Sequence, residues 1–262
     1  WPSGQVSKAM DDPNFLDELT IAGRFFEAAG RESLRCLACA HRCVIPPGRR
    51  GACKVRFNQG GRLRVPWGYA AALQLDPIEK KPFSHFLPGS QVLTFGMLGC
   101  NFRCDFCQNW LTSQTLRDPA AGQGIGLARR ISPEQMVAAA LRGGAQIVAS
   151  SYNEPFITLE WAQDVFRAAR RAGLKTAVVS NGYATPQALE GLAPDLDALK
   201  VDLKCMSREG YRSLGGRLEA VLETIRLAQS LGLWVEVVTL VIPGFNDSNE
   251  DLWQAARYLA SV

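Results

Sequence analysis

The 262-residue sequence has no apolar run long enough to cross a bilayer, which needs about 20 consecutive residues. Residues 1–20 carry acidic side chains and no apolar segment of the kind found in a secretory signal. Strong charge is also missing, because 29 Lys and Arg against 25 Asp and Glu give a net charge of +4, and most basic residues are dispersed. We therefore expect a cytoplasmic protein without a membrane span and without a nucleic-acid partner.

Cysteine is distributed unevenly. Seven of the eight cysteines fall in two short clusters, whereas a disulfide framework would spread its cysteines along a small secreted chain. Clustered thiols indicate metal binding in a reducing compartment. The chain is long enough for one large domain, or for one domain with a small appendage.

One cluster has the spacing C-x3-C-x2-C, formed by Cys100, Cys104 and Cys107 directly after the apolar, strand-like segment 92–98. Three thiolates can bind three irons of a [4Fe-4S] cluster, which ordinarily takes four thiolates. No fourth cysteine is evident nearby, so one iron would stay open for a substrate or cofactor. Zinc is the alternative, but zinc sites favour paired cysteines two residues apart and four ligands. The spacing therefore favours iron–sulfur.

The other cluster, Cys36, Cys39, Cys43 and Cys53, has the spacing C-x2-C-x3-C followed by a fourth cysteine after a Pro/Gly turn. The imidazole of His41 is of a type that can replace one of these thiols as a metal ligand. Four donors suit a closed structural site, and both zinc and iron–sulfur satisfy this pattern. We expect the metal to hold together a small lobe that has few apolar residues of its own.

Other N-terminal segments give weaker signals. Residues 15–19 and 25–26 show a helical pattern, and residues 54–57 and 62–65 alternate like two strands of a hairpin. Segment 76–89 is dense in charge and proline and contains His85. We interpret this segment as structural or surface-exposed rather than as part of a site.

From residue 92 onward, strand-like and helix-like segments alternate. Helix starts are indicated by a capping box at Ser132–Gln135, by Thr185 before Pro186 and by Asp247-Ser248, and helical periodicity covers 160–172 and 218–231. The predicted strands are 92–98, 146–151, 175–180, 198–203 and 233–241. Repeated βα units predict an α/β fold with a parallel sheet or barrel, whose site lies at the carboxyl ends of the strands.

Polar side chains follow four of these strands. The segments are 151–155 (SYNEP), 180–183 (SNGY), 201–204 (VDLK) and 241–247 (VIPGFND). Any one of them would be explained by a helix cap or an ion pair. Four such strand ends beside the cysteine loop favour a shared pocket.

These segments resemble the radical S-adenosylmethionine (SAM) superfamily, in the branch of the pyruvate formate-lyase activating enzyme. Within that branch the chain resembles the radical SAM member of the AmmeMemoRadiSam system, through the N-terminal cysteines, segment 76–89 (DPIEKKPFSHFLPG), segment 100–110 (CNFRCDFCQNW) and the motifs SYNEP, SNGY and VDLK. The resemblance implies a cysteine-rich N-terminal region over residues 1–90 and a partial (β/α)6-type barrel over 91–262. The family's barrel has a sixth strand, and this chain begins with Trp1, so we expect residues beyond both ends.

The resemblance also implies the cofactors, a [4Fe-4S] cluster on Cys100, Cys104 and Cys107, with SAM bound at the open iron. Glu154, in the motif Asn153-Glu154-Pro155, would then bind the methionyl amino group. The remaining implied SAM contacts are Ser180, Asn181, Asp202 and Lys204 on the methionyl and ribose side, and Phe106 and Ile242 around the adenine. Cys205, where the family more often has glycine, is either a hydrogen-atom donor or, more simply, a small buried residue.

The implied activity is reductive cleavage of SAM to a 5'-deoxyadenosyl radical that abstracts hydrogen from a substrate. The substrate is either a glycyl residue of a partner protein or a small molecule or peptide, and the electron donor is a flavodoxin or ferredoxin. Two other readings stay open at this point. One is a non-enzymatic scaffold with zinc in both cysteine clusters, and the other is an electron-transfer protein with fully ligated clusters.

Overall fold

The computed structural model describes residues 15–262 and begins with a lobe of short antiparallel strands. The predicted hairpin forms, but its first strand lies at 57–59 rather than 54–57, and Gly60-Gly61 alone join it to the second strand at 62–66. The elements of this part are α1 (Phe15–Glu18), β1 (Thr20–Ala22), β2 (Phe26–Ala28), β3 (Leu34–Cys36), β4 (Val44–Ile45), β5 (Phe57–Gln59), β6 (Arg62–Pro66) and β7 (Tyr69–Ala70). The acidic segment expected at 1–20 falls mostly on residues 1–14, which lie outside the described residues.

The helix predicted around residues 25–26 is wrong. Phe26 begins β2, which pairs with β3 in the register Phe26↔Cys36, and the pattern at 15–19 gives only the single turn α1. A helix this short gains little from its own hydrogen bonds. Pairing of β1 with β6 and of β2 with β3 stabilises the extended chain instead.

The larger part of the chain is built on an open six-stranded sheet in the order β14-β13-β12-β11-β9-β8. All five predicted strands are confirmed and run parallel, and β8 adds an antiparallel edge. The strands are β8 (Ala72–Pro77), β9 (Gln91–Gly96), β11 (Ile147–Ser150), β12 (Lys175–Ser180), β13 (Ala198–Asp202) and β14 (Trp234–Val238), while β10 (Arg129–Arg130) pairs with β7. The sheet thus starts before residue 91, and the division at that residue stays a prediction.

The helices begin where their caps predict. Ser132 forms a reciprocal capping box with Gln135, and the hydroxyl groups of Thr185 and Ser248 accept hydrogen bonds from the first turns that follow them. The helices are α2 (Trp110–Ser113), α3 (Pro133–Arg142), α4 (Leu159–Arg171), α5 (Pro186–Leu192), α6 (Arg208–Ser213), α7 (Leu218–Ser230) and α8 (Asn249–Leu259), with shorter 3-10 turns at Ile78–Lys80, Pro119–Leu127, Pro155–Thr158 and Ala193–Asp195.

Segment 78–90 covers one face of the sheet. Ile78, Phe83 and Phe86 pack against side chains that point to that face, Val92, Ile147, Ala149, Ala177 and Ala198. The backbone N–H groups of Ser84, His85 and Phe86 donate to the carboxylate of Glu236 in β14, at 2.7–3.1 Å. Segment 78–90 leaves β8, contacts β14 through residues 84–86 and returns to β9, so its middle part links the two edges of the open sheet.

A buried ion pair attaches the lobe to the sheet domain. The Nη1 and Nη2 atoms of Arg56 donate to the two carboxylate oxygens of Glu160 in α4, at 2.7 and 2.9 Å. Arg56 is 1% exposed and Glu160 is fully buried. Arg56 also donates to the carbonyl of Ile157, and Glu160 accepts from the backbone N–H of Arg24.

We expect Arg56→Ala to lower the free energy of unfolding by about 3–5 kcal/mol, because it leaves the Glu160 carboxylate buried without its partner. Urea unfolding measures this. The matched control is Arg208→Ala at the exposed Arg208–Glu219 pair, where we expect a change of about 0–1 kcal/mol. The double variant Arg56→Met/Glu160→Leu removes both charges and should be more stable than Arg56→Ala. Equal stability of Arg56→Ala and Arg208→Ala would contradict this prediction.

Candidate active site

The three cysteines of the C-x3-C-x2-C loop line one cavity of about 550 Å³ next to the carboxyl ends of β11, β12 and β13. The loop leaves β9 through Gly99, whose φ is +88° and whose hydrogen faces the carbonyl of Cys53, where a Cβ would come within 2.9 Å. Only glycine tolerates both the backbone angle and this contact. The cysteine loop therefore starts in direct contact with the N-terminal lobe.

Arg117 holds the loop from the other side. Its guanidinium donates to the carbonyl oxygens of Cys100 at 2.7 Å and Phe102 at 2.8 Å, and also to the carbonyl of Ala52 in the lobe. A planar guanidinium with five donors can bridge several carbonyls in a fixed geometry. Arg117 thus joins the loop to the residue that precedes Cys53.

The chemistry of these thiols fits an iron–sulfur cluster. Burial raises the pKa of Cys100 to about 12 and that of Cys104 to about 11, and the thiol of Cys107 adds to both shifts. The sulfurs of this loop therefore lie close enough to interact electrostatically. Metal binding replaces thiol protons, and an iron–sulfur cluster is held by thiolates.

The described residues contain no group of three or more His, Cys, Asp or Glu side chains arranged around a single ion. A mononuclear zinc site needs all its ligands within about 2.3 Å of one atom. A four-iron cube instead bonds each thiolate to a different iron, so its thiolates lie farther apart. Neither cysteine cluster forms a preformed mononuclear site among residues 15–262, and it is the spacing C-x3-C-x2-C that favours iron–sulfur at Cys100, Cys104 and Cys107.

Glu154 lies in the wall of the same cavity. Its Oε1 accepts from Ser180 Oγ at 2.8 Å and from the backbone N–H of Phe156 at 3.0 Å, and its Oε2 accepts from the N–H of Asn181 at 2.9 Å. Burial raises the pKa of Glu154 to about 7, against the effect of these three donors. Glu154 therefore offers a cation in the cavity a carboxylate of fixed orientation that few other positive charges neutralise.

A cluster of two lysines and one aspartate lies at the carboxyl end of β13. Asp202 accepts from Lys200 and, at 3.0 Å, from Lys204. Burial opposes ionisation of Asp202, but the two ammonium groups outweigh it and lower the pKa of that carboxyl. All three side chains line the cavity. They offer both acceptors and donors to a polar ligand.

The structure brings together nearly all the predicted SAM-contact residues. The cavity is lined by Phe106, Asn153, Glu154, Ser180, Asn181, Asp202 and Lys204. Ile242 is the exception, because among residues 15–262 the apolar lining after β14 comes from Leu240 and Val241. Phe106 packs on Phe245, with ring centroids 5.5 Å apart. Cys205 is buried and does not line the cavity.

Sequence reasoning missed Lys80, Lys81 and Lys200, which also line the cavity, as does Tyr152 of the segment SYNEP, to which no contact was assigned. Lys200 had a usable signal, because it stands two residues before Asp202 on the same strand and so shares its face. The interpretation of segment 76–89 holds for His85, which is exposed, but is wrong for its lysines. Their place depends on how the segment crosses the sheet, which local pattern does not encode.

The N-terminal cysteines lie next to one another. Burial raises the pKa of Cys39 well above its usual range, and the neighbouring thiols of Cys36, Cys53 and Cys43 add to the shift. His41 Nε2 lies 3.0 Å from the carbonyl oxygen of Asn101 in the C-x3-C-x2-C loop, so its ring contacts that loop. The auxiliary metal site, and a ligand role for His41, stay predictions.

The family described as the radical SAM superfamily matches residues 95–259. An uncharacterized protein of Methanocaldococcus jannaschii is 38% identical over 87% of this chain and 66% of its own length. The isethionate sulfite-lyase activating enzyme of Oleidesulfovibrio alaskensis is 31% identical over 60% of this chain and 51% of that enzyme. The pyruvate formate-lyase 1-activating enzyme of Escherichia coli K12 is 26% identical over 65% of this chain and 69% of that enzyme.

The chain thus spans between about half and about two thirds of the length of these relatives. Among solved structures, a radical SAM methyltransferase from Sphaerobacter thermophilus superposes with a TM-score of 0.50 at 21% identity, over 68% of this chain and 55% of that one. This likeness shows a shared fold. The described residues contain no helix with the length and apolar content to span a membrane.

The matched residues cover β9 to α8, the part of the chain that carries the loop, Glu154 and the Asp202 cluster. The chain belongs to the radical SAM superfamily, a class of enzymes that use a [4Fe-4S] cluster and SAM. Within this superfamily it is similar to the activating enzymes of pyruvate formate-lyase and isethionate sulfite-lyase. The narrower likeness to the AmmeMemoRadiSam member stays a prediction.

We expect Cys39→Ala to remove the auxiliary metal and leave the other site loaded. Metal analysis of anaerobically reconstituted protein should show a loss of about one zinc or up to about four irons. Cys205→Ala, at a thiol outside both clusters, is the matched control and should keep the full metal content. An unchanged metal content in Cys39→Ala would contradict the assignment of Cys39 as a ligand.

Proposed function

We propose that this protein is a radical SAM enzyme in which Cys100, Cys104 and Cys107 hold the [4Fe-4S] cluster and SAM binds beside it. The observation that carries the proposal is that three thiols and a buried, hydrogen-bonded carboxylate face one cavity. When bound, cluster and SAM supply a 5'-deoxyadenosyl radical that takes a hydrogen atom from the substrate. A zinc scaffold or an electron-transfer protein would not explain why the carboxylates of Glu154 and Asp202 line the cavity beside the cysteines.

The residues of the cavity wall have separate roles in this proposal. Glu154 binds the methionyl ammonium, and its three donors fix the orientation of the carboxylate. Asn153 positions this segment, because its Oδ1 accepts from the backbone N–H of Met97 at 3.0 Å. Ser180, Asn181, Asp202 and Lys204, which line the cavity, are assigned to the methionyl and ribose side of SAM.

The adenine ring is assigned to an apolar wall. Phe106 supplies one side of it, supported by its packing on Phe245. Leu240 and Val241 line the cavity near the segment in which the resemblance placed Ile242. An apolar surface with few polar groups is typical of a site for a planar heterocycle.

Two substrate classes fit this proposal. The names of the relatives support a glycyl residue on a partner protein, because activating enzymes for two lyases are similar to this chain. A small molecule or a peptide, handled with partner proteins of the same system, is the second class. A flavodoxin or ferredoxin supplies the electron in either case. We place the protein in the cytoplasm, since seven of its eight cysteines lie in two clusters that suit metal binding in a reducing compartment.

The first test is product formation. Anaerobically reconstituted protein with dithionite and SAM should release 5'-deoxyadenosine, detected by mass spectrometry, and Cys104→Ala should abolish it because the cluster loses a ligand. Cys205→Ala, a thiol outside the cavity, is the matched control and should form product at the wild-type rate. Product from Cys104→Ala would contradict the assigned ligands. Product that depends on Cys205 would instead indicate that this thiol takes part in the chemistry.

The second test concerns Glu154. We expect Glu154→Gln to weaken SAM binding by about 10- to 100-fold, because it removes a charge-assisted hydrogen bond to the methionyl ammonium. Equilibrium dialysis with labelled SAM and no reductant measures binding apart from cleavage. Glu223→Gln, at an exposed position on α7, serves as the control. Equal SAM affinity in Glu154→Gln and wild type would show that the methionyl ammonium binds to another residue.

A further inference from the structure

Lys81 and Tyr152 meet inside the cavity, apart from the residues assigned to SAM. Lys81 is 7% exposed, and its Nζ donates to Tyr152 Oη at 3.0 Å and to Asp76 Oδ2 at 2.8 Å. Both Lys81 and Tyr152 line the cavity that the three cluster thiols line. Lys81 belongs to segment 78–90, which covers this face of the sheet, so it lies at the base of the cavity.

The backbone at Tyr152 is built to present this side chain. Its φ is +68°, in the left-handed region that a tyrosine seldom adopts. On the neighbouring strand Gly96 makes room, because a Cβ there would lie 2.8 Å from both the carbonyl of Ser151 and the Cβ of Tyr152. Strained residues that the surrounding structure holds in place cluster at ligand sites.

Hydrogen-bond donors at this base remain available. An ammonium has three donors, and Lys81 uses two of them on Asp76 and Tyr152. Within residues 15–262 the hydroxyl of Tyr152 accepts from Lys81 and makes no other hydrogen bond, so its proton is free to be donated. A ligand oxygen beside this pair would receive one N–H and one O–H.

Positive charge also exceeds negative charge here. Asp76 is shared between Lys80 and Lys81, and Asp202 is shared between Lys200 and Lys204. All four lysines line the cavity, and Lys200 is only 4% exposed. Because Glu154 lies in the same cavity, the four ammonium groups face three carboxylates, Asp76, Asp202 and Glu154, and an anion bound beside Lys81 would offset the remaining positive charge.

We propose that Lys81 and Tyr152 form a substrate subsite at the base of the cavity that binds an anionic oxygen group, a carboxylate or a phosphate, of the hydrogen-donating substrate. This inference rests on the proposed function and narrows its substrate. The backbone of a glycyl loop is neutral, whereas a small molecule or a peptide end carries such a group. The subsite therefore favours the second of the two substrate classes.

The test is binding of two probe anions to the reconstituted protein with saturating SAM and no reductant, so that the SAM site is filled and SAM stays intact. Equilibrium dialysis with labelled inorganic phosphate and with labelled succinate distinguishes the two sources of the anion. The variants are Lys81→Met, Lys81→Arg and Tyr152→Phe. Lys175→Met is the matched control, because Lys175 pairs with Asp197 outside the cavity. Circular dichroism checks that each variant is folded.

We expect at least one probe to bind saturably, and Lys81→Met to weaken it by about tenfold or more. Tyr152→Phe should weaken it by a smaller factor, while Lys81→Arg keeps most of the affinity and Lys175→Met keeps all of it. Equal affinity in Lys81→Met and wild type would overturn the subsite, as would binding that appears only without SAM, since the lysine would then hold the carboxylate of SAM itself.

Measuring 5'-deoxyadenosine in parallel distinguishes failure of this subsite from failure of the proposed radical SAM function. Wild-type protein that cleaves SAM but binds neither anion would refute the subsite and leave the radical chemistry standing. Saturable binding that depends on Lys81, in protein that forms no 5'-deoxyadenosine, would support an anion site and overturn the proposed function.

Discussion

The buried pair between Arg56 and Glu160 is the contact on which the arrangement of the site depends. Arg56 lies three residues after Cys53, and Glu160 lies six residues after Glu154. The pair therefore joins the segment that carries an N-terminal cysteine to the segment that carries the proposed SAM carboxylate. A buried carboxylate and guanidinium that are both paired resist separation, because either one left alone would be desolvated without compensation. The lobe is fixed against the sheet at the point where the cysteine loop passes.

The loop itself is held by contacts with both parts of the chain. The carbonyl of Asn101 faces His41 of the lobe, and its side chain accepts from Asn181 after β12, at 2.7 Å. Arg117 links Cys100 to Ala52. A metal bound by the N-terminal cysteines would stiffen the lobe and, through these contacts, the loop. In this sense the N-terminal cysteine cluster and the C-x3-C-x2-C loop form one assembly.

Sequence reasoning succeeded where structure is determined locally. The five parallel strands, the capping box at Ser132 and the cap at Thr185 are all encoded within a few residues. Most of the predicted SAM-contact residues do line the cavity, because the carboxyl ends of parallel strands meet at one edge. Phe26 was misassigned because pairing with a distant strand outweighs local periodicity. Leu240 and Val241 line the cavity in place of the predicted Ile242. The chain directly after β14 has no regular structure from which the facing side chain could be predicted.

Lys81 shows why the base of the cavity could not be read from sequence. Its place depends on segment 78–90 crossing from β8 to Glu236 on β14, an arrangement fixed by packing of Ile78, Phe83 and Phe86. For stability alone an apolar side chain would suit this base better, since burying an ammonium costs free energy that pairing with Asp76 only partly offsets. A methionine would fill similar space without that cost. The charge at position 81 is therefore better explained by a ligand than by the fold, and the same reasoning does not apply to Arg56, whose carboxylate partner is buried with it.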